Sequence, residues 1–166
     1  MNDGRQALPG AKRESTEFGI AVSTYNASIT EKLLNGALST LKAAGISEQA
    51  IRVLRVPGAW ELPLAAKWLA DCDSIGSVIT LGAVIRGETS HDLHINRAVS
   101  NALMELMQCS GKPIAFGLLT CNTLEQAIHR AGGDVGNKGE EAADAVLAML
   151  ALKASLSQHE PTEAAR

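Results

Sequence analysis

Aromatic side chains are scarce in this chain: two Phe, two Trp and one Tyr among 166 residues, or 3%. That scarcity excludes a core built on aromatic rings, so Ala, Val, Ile and Leu must fill the interior. Any aromatic near a cleft then needs a reason beyond packing. Cysteine is equally sparse. Cys72, Cys109 and Cys121 are odd in number and scattered, which argues against a disulfide framework or a metal-ligand pair and suggests reduced thiols in a cytoplasmic protein. Lys and Arg never form a run and the formal net charge is −3, so no nucleic-acid partner is expected. No apolar stretch reaches the roughly 18–20 residues that span a bilayer, and no membrane association is expected. Met1 to Thr16 is polar and charged, without the apolar segment of a signal peptide.

What remains is an ordinary globular composition, 46% hydrophobic and 20% charged, at a one-domain length that buries a real core. Residues 1–16 read as a flexible N-terminal arm and 155–166 as a flexible tail, leaving a single domain over 17–154. Within it, short apolar runs alternate with helical periodicity. Phe18–Ser23 reads as a buried strand. Ser28-Ile-Thr-Glu31 matches a capping box, and Ile29, Leu33, Leu34, Ala37, Leu38, Leu41 and Ala44 follow at helical spacing until Gly45. Ile51–Val56 is a second strand, stopped by Pro57-Gly58. A helix over Trp60–Ala70 tolerates Pro63 in its first turn. Ile75–Ile85 holds the third strand, a helix runs from about His91 to Cys109 with Gly111 closing it, and Ile114–Leu119 is the fourth strand. Asn122 or Thr123 caps a short helix through Ala131, Gly132-Gly133 breaks it, and Lys138–Lys153 is the last helix.

This β-α alternation with continuously apolar strands predicts a three-layer α/β/α fold around a parallel sheet. Right-handed crossovers favour a flavodoxin-like four-stranded order, 2-1-3-4. Ligands of such sheets bind beyond the carboxyl ends of the strands, where the order reverses. The candidates are therefore Ser23–Asn26, Val56–Glu61, Arg86–His91 and Thr120–Asn122.

In Gly87-Glu-Thr-Ser-His91, Gly87 permits close backbone approach, and Thr89, Ser90 and the free N–H groups of a helix start favour an anion such as phosphate. His91 stands where acid–base work near neutral pH is possible. The plainer alternative is that Ser90 or Thr89 only caps the helix. His91 and His94 lack a third ligand, so a metal is disfavoured. Tyr25 is placed to lie against a planar ring. Trp60 begins an apolar helix and is expected in the core, and Glu61 either accepts hydrogen bonds from a ligand or favours the helix N-terminus. Asn137-Lys-Gly139 lacks the P-loop residues, and no Gly-x-Gly-x-x-Gly follows the first strand, so nucleotide binding is disfavoured. Arg130 is a candidate phosphate clamp or a partner of its helix dipole.

Five segments together resemble the lumazine synthase family: Val56-Pro-Gly-Ala-Trp-Glu-Leu-Pro63, Leu81-Gly-Ala-Val-Ile-Arg-Gly-Glu-Thr-Ser-His91, Phe116-Gly-Leu-Leu-Thr120, Glu125-Gln-Ala-Ile-His-Arg-Ala-Gly132 and Gly136-Asn-Lys-Gly-Glu-Glu-Ala-Ala143. The resemblance runs from about Phe18 to Lys153. It implies condensation of 5-amino-6-(D-ribitylamino)uracil with 3,4-dihydroxy-2-butanone 4-phosphate, giving 6,7-dimethyl-8-ribityllumazine, phosphate and water, without a cofactor. By resemblance, Tyr25 stacks on the pyrimidine with Asn26 beside it, and Ala59 and Glu61 contact the ribityl chain. Val84 and Ile85 form the pocket wall. Glu88 and Thr89 lie on the phosphate loop, His91 is the acid/base, and Arg130 clamps phosphate. Phe116 and Lys138 reach the pyrimidine. In the family Phe116, Arg130 and Lys138 come from the neighbouring subunit. The resemblance thus implies a homo-oligomer with shared sites, built of pentamers alone or of twelve in a shell, with riboflavin synthase as a candidate partner.

The chain departs from the family at Asp92 and His94, where aromatics are common. Asp92 is expected to favour protonated His91, and Glu88 to point to solvent, away from the phosphate it would repel. The residues also leave open a flavodoxin-like binding protein without turnover, or a shell that has lost activity.

Overall fold

The computed structural model describes residues 17–157, so the expected arm (1–16) and residues 158–166 of the expected tail lie outside it. In chain order the elements are β1 (Glu17–Ser23), α1 (Ala27–Ala43), β2 (Ile51–Val56), α2 (Leu62–Ala70), β3 (Ile75–Ile85), α3 (His91–Ser110), β4 (Ile114–Cys121), α4 (Leu124–Arg130), β5 (Ala131–Gly133), β6 (Gly136–Asn137) and α5 (Lys138–Ser157). The first four strands form one parallel sheet of order β2-β1-β3-β4, as predicted.

Alternate residues of the central strands face opposite layers. Ile20, Val22, Ile79, Leu81 and Ala83 pack with Ile29, Leu33 and Leu41 of α1 and Ala142, Ala143 and Val146 of α5. Ala21, Val78 and Val84 pack on the other side with Leu62, Ala65 and Leu69 of α2 and Val99 and Leu103 of α3. Both sheet faces are therefore covered, which is why β1 and β3 read as unbroken apolar runs. Each fully buried Leu or Ile contributes about 1.5–3 kcal/mol. Aliphatic side chains and alanine supply nearly all of this core, and Phe18 is the one aromatic within it.

Local chemistry departed from expectation in several places. The Ser28–Glu31 capping box does not form. Helix α1 starts two residues earlier, after Asn26 in the left-handed region (φ 60°, ψ 45°), and the Asn26 carbonyl accepts the amides of Ile29 and Thr30. Glu31 instead pairs with Arg55 of β2. Trp60 is not in the core. It lies in a 3₁₀ turn over Ala59–Glu61 and is 58% exposed, because Leu62, not Trp60, begins the buried stripe of α2. Strand β4 continues to Cys121, and Thr123 is the cap of α4, its Oγ1 accepting from the Gln126 amide at 3.2 Å. The expected break at Gly132-Gly133 is a small antiparallel hairpin, β5–β6. Helix α5 extends past Lys153 to Ser157. Among the described residues, no helix is long and apolar enough to cross a membrane.

Candidate active site

The carboxyl ends of β1 and β2 are bonded together. The Thr24 amide donates to the Val56 carbonyl at 2.8 Å and the Tyr25 amide to the Pro57 carbonyl at 3.0 Å. This brings Tyr25 beside the Gly58–Glu61 turn, where the Glu61 carboxylate accepts from the Gly58 amide at 2.9 Å. The Tyr25 ring is 71% exposed, free to cover a planar ligand. Ala59 and Glu61 are half-buried in the same turn. Asn26 ties this group to the sheet centre: its Nδ2 donates to the Ala83 carbonyl of β3 at 2.9 Å. A non-glycine residue in the left-handed region is strained, and Asn tolerates it better than most. The strain is held between β1 and β3, where strand order reverses.

From β3 the chain delivers Val84, buried, and Ile85, half-buried, and then an exposed loop with Glu88 and Thr89 before His91 opens α3. The loop is pinned to β4 by the Arg86 amide, which donates to the Cys121 carbonyl at 2.8 Å. Thr89 Oγ1 and His91 Nδ1 lie 2.6 Å apart. The threonine thus orients the imidazole through Nδ1, and Nε2 takes no part in that contact. A polar cavity of about 440 Å³ is lined by Arg86, Glu88, Thr89, Ser90, Asp92, Leu93 and Asn122. Glu88 is exposed, and it also forms part of that wall.

Asp92 and His91 lie in different environments. The Asp92 side chain is 7% exposed, with Oδ1 buried and unpartnered, whereas His91 is exposed. Among the described ion pairs none joins the two. As an acidic residue in the first turn of α3, Asp92 is stabilised by the positive end of the helix, and the group that touches His91 is Thr89.

The remaining three residues lie on β4, at the end of α4 and at the start of α5. Phe116 is 47% exposed on β4, the edge strand, and pairs with Thr80. Five residues separate that register from the Ile85–Cys121 pair, so Phe116 lies about 16 Å below the strand ends of its own chain. Arg130 ends α4 and donates to the Gln126 carbonyl at 3.2 Å. Lys138 opens α5 and pairs with Glu141 at 2.6 Å. Burial pushes the Cys121 thiol above its usual value, with the nearby Arg130 charge opposing the shift. Among the described residues, no hydrogen bond or ion pair joins Phe116, Arg130 or Lys138 to Tyr25, Glu61, Thr89 or His91.

Sequence reasoning placed Asn26 beside Tyr25 without finding its bond to β3, because a left-handed Asn before a helix looks like an ordinary turn residue. It named Arg86 and Asn122 only as members of the strand ends, without a role, although both line the cavity next to the loop.

A family model described as 6,7-dimethyl-8-ribityllumazine synthase matches residues 15–154. The 6,7-dimethyl-8-ribityllumazine synthase of Rhodopirellula baltica is 54% identical over 142 residues, covering 86% of this chain and 92% of the relative. The protein of the same name from Syntrophus aciditrophicus is 47% identical over 152 residues, covering 92% and 96%. That from Halorhodospira halophila is 41% identical over 143 residues. With the fold order, the strand-end cluster and these matches in agreement, the chain belongs to the 6,7-dimethyl-8-ribityllumazine synthase family.

Proposed function

We propose that this chain makes 6,7-dimethyl-8-ribityllumazine at sites completed by a neighbouring subunit. The observation that carries the shared-site reading is the division of the candidate residues into two unconnected groups. Tyr25, Ala59, Glu61, Val84, Ile85, Glu88, Thr89 and His91 surround the switch point. Phe116, Arg130 and Lys138 share no hydrogen bond or ion pair with that group among the described residues and serve the next subunit. A head-to-tail contact of this kind closes into a ring. The assembly is a pentamer, with a shell of pentamers as its larger form, and riboflavin synthase is the partner that takes the product. The three free thiols suit a cytoplasmic setting.

In this reading Tyr25 covers the pyrimidine, Ala59 and Glu61 hold the ribityl chain, and Val84 and Ile85 wall the pocket. The neighbour's Phe116 and Lys138 complete the pyrimidine contacts. The amino group of the uracil attacks the ketone and water leaves as the imine forms. Phosphate is then eliminated, held by Thr89, the N-terminus of α3 and the neighbour's Arg130. Ring closure releases a second water. His91, oriented by Thr89, moves protons in these steps. No electrons are exchanged with an outside acceptor, so the scheme uses no redox cofactor. Holding two substrates in reactive geometry supplies roughly 7–11 kcal/mol, against about 3–5 kcal/mol from a general acid–base. Positioning therefore dominates.

The test is to mix both substrates with the protein, follow lumazine fluorescence, and sediment the same sample. Co-expressing His91→Ala with Arg130→Ala then tests the shared site. Random mixing in a ring leaves about one interface in four with both residues intact, so activity should exceed that of either parent. Co-assembled variants no more active than the parents would refute a site built across subunits.

A further inference from the structure

Arg130 and Lys138, both assigned to the neighbouring site, are mounted on one hairpin. Ala131 pairs with Asn137 in antiparallel register. The residues immediately outside that pair, Arg130 and Lys138, therefore leave the same end of the ladder. Whatever fixes the Ala131–Asn137 pair fixes both cations together.

The Asn137 side chain is buried, and both ends of its amide are used. Nδ2 donates to the Lys32 carbonyl of α1 at 2.9 Å, and Oδ1 accepts from the Gly139 amide in the first turn of α5 at 2.8 Å. The surrounding backbone is shaped to admit this amide. A Cβ on Gly36 of α1 would lie 2.5 Å from Nδ2 and 2.6 Å from Cγ of Asn137. A Cβ on Gly139 would collide with the Leu33 carbonyl, so α5 also reaches α1 here by backbone contact. Helix capping alone would need only the acceptor, which Ser, Thr or Asp could supply. The donor to α1 is the additional element: Asp has no donor, and Ser and Thr carry donor and acceptor on a single oxygen, whereas Asn supplies them from two separate atoms.

We propose that Asn137 is a positioning residue that locks the hairpin to α1 and α5, so that Arg130 and Lys138 are presented to the neighbouring site as a fixed pair. The inference rests on the assignment of those two cations to that site. Two readouts on Asn137→Ala test it: deuterium exchange over residues 130–139, and the KM for each substrate. Exchange in that segment should rise while β1 and β3 stay protected. Both KM values should rise together by about tenfold, because misplacement by about 1 Å can cost as much as 10²-fold. Arg130→Ala should raise the KM for the phosphate substrate, and adding Asn137→Ala to it should raise that KM no further.

Asn137→Ser keeps an acceptor for the cap and carries the same measurements if the alanine variant does not assemble. A fall in kcat at unchanged KM, or effects that add fully to those of Arg130→Ala, would reduce Asn137 to a structural cap and overturn the proposal. So would unchanged exchange over 130–139. Absence of lumazine formation in the unaltered protein would sink the functional reading alone, and the exchange measurement would still decide whether Asn137 holds the hairpin.

Discussion

Asn26 offers a perturbation whose sign can be worked out in advance. Its side chain does two things: it tolerates φ 60° and it donates to the Ala83 carbonyl. Asn26→Ala loses both. A part-buried carbonyl left without its donor costs about 1–3 kcal/mol, and alanine in the left-handed region costs about 1–2 kcal/mol. Asn itself carries part of that second penalty, so the expected total is roughly 2–4 kcal/mol. Asn26→Gly loses the same hydrogen bond but removes the backbone strain, offset by the greater freedom of glycine when unfolded, about 0.5–1 kcal/mol. Glycine should therefore be the milder change, by up to about 1 kcal/mol, equivalent to about 2–4 °C in Tm for a chain of this size. Thermal unfolding must be compared at one protomer concentration, since assembly adds stability that depends on concentration. Both variants should also raise the KM for the pyrimidine substrate, because the bond that holds the Tyr25 turn against β3 is gone. An alanine variant as stable as the glycine variant would refute the strain argument. Unchanged pyrimidine KM in both would refute the link between Asn26 and Tyr25.

Three further outcomes are expected. His91→Ala should retain measurable turnover, with kcat/KM down by about 10²–10⁴-fold, while Arg130→Ala should lose more through the phosphate substrate; steady-state kinetics with each substrate varied separates the two, and a fully inactive His91→Ala that still binds substrate would contradict the ranking. A Cβ on Gly117 would sit 2.7 Å from the Thr80 carbonyl and 2.6 Å from Leu81 Cδ2, whereas one on Gly87 would meet only His91 at 3.8 Å. Gly117→Ala should thus destabilise by about 1–3 kcal/mol as overpacking does, and Gly87→Ala by much less, which denaturation of the pair would show. Finally, because burial raises the Cys121 thiol, little thiolate forms at neutral pH and a thiol reagent should modify it last in the folded protein. Rapid labelling of Cys121 before denaturation would count against that.

The strands, the helices and the order 2-1-3-4 were legible because periodicity survives any tertiary context: a strand covered on both faces must be apolar throughout, and helix stripes must repeat. The strand-end rule then located the Tyr25, Glu61 and His91 regions without coordinates, and the spacing of the five segments identified the family. Capping and burial were decided by tertiary structure. Glu31 left its capping box because Arg55 of β2 offered a charged partner, and Trp60 left the core because a 3₁₀ turn rotated the stripe of α2 past it. Asp92 and His91, adjacent in sequence, project to different environments because successive helical positions are about 100° apart. The hairpin that pairs Ala131 with Asn137 escaped sequence reading because two short strands rich in glycine carry no hydrophobic alternation. Its anchor, an amide enclosed by Gly36 and Gly139 from helices far apart in the chain, exists only once α1 and α5 have packed.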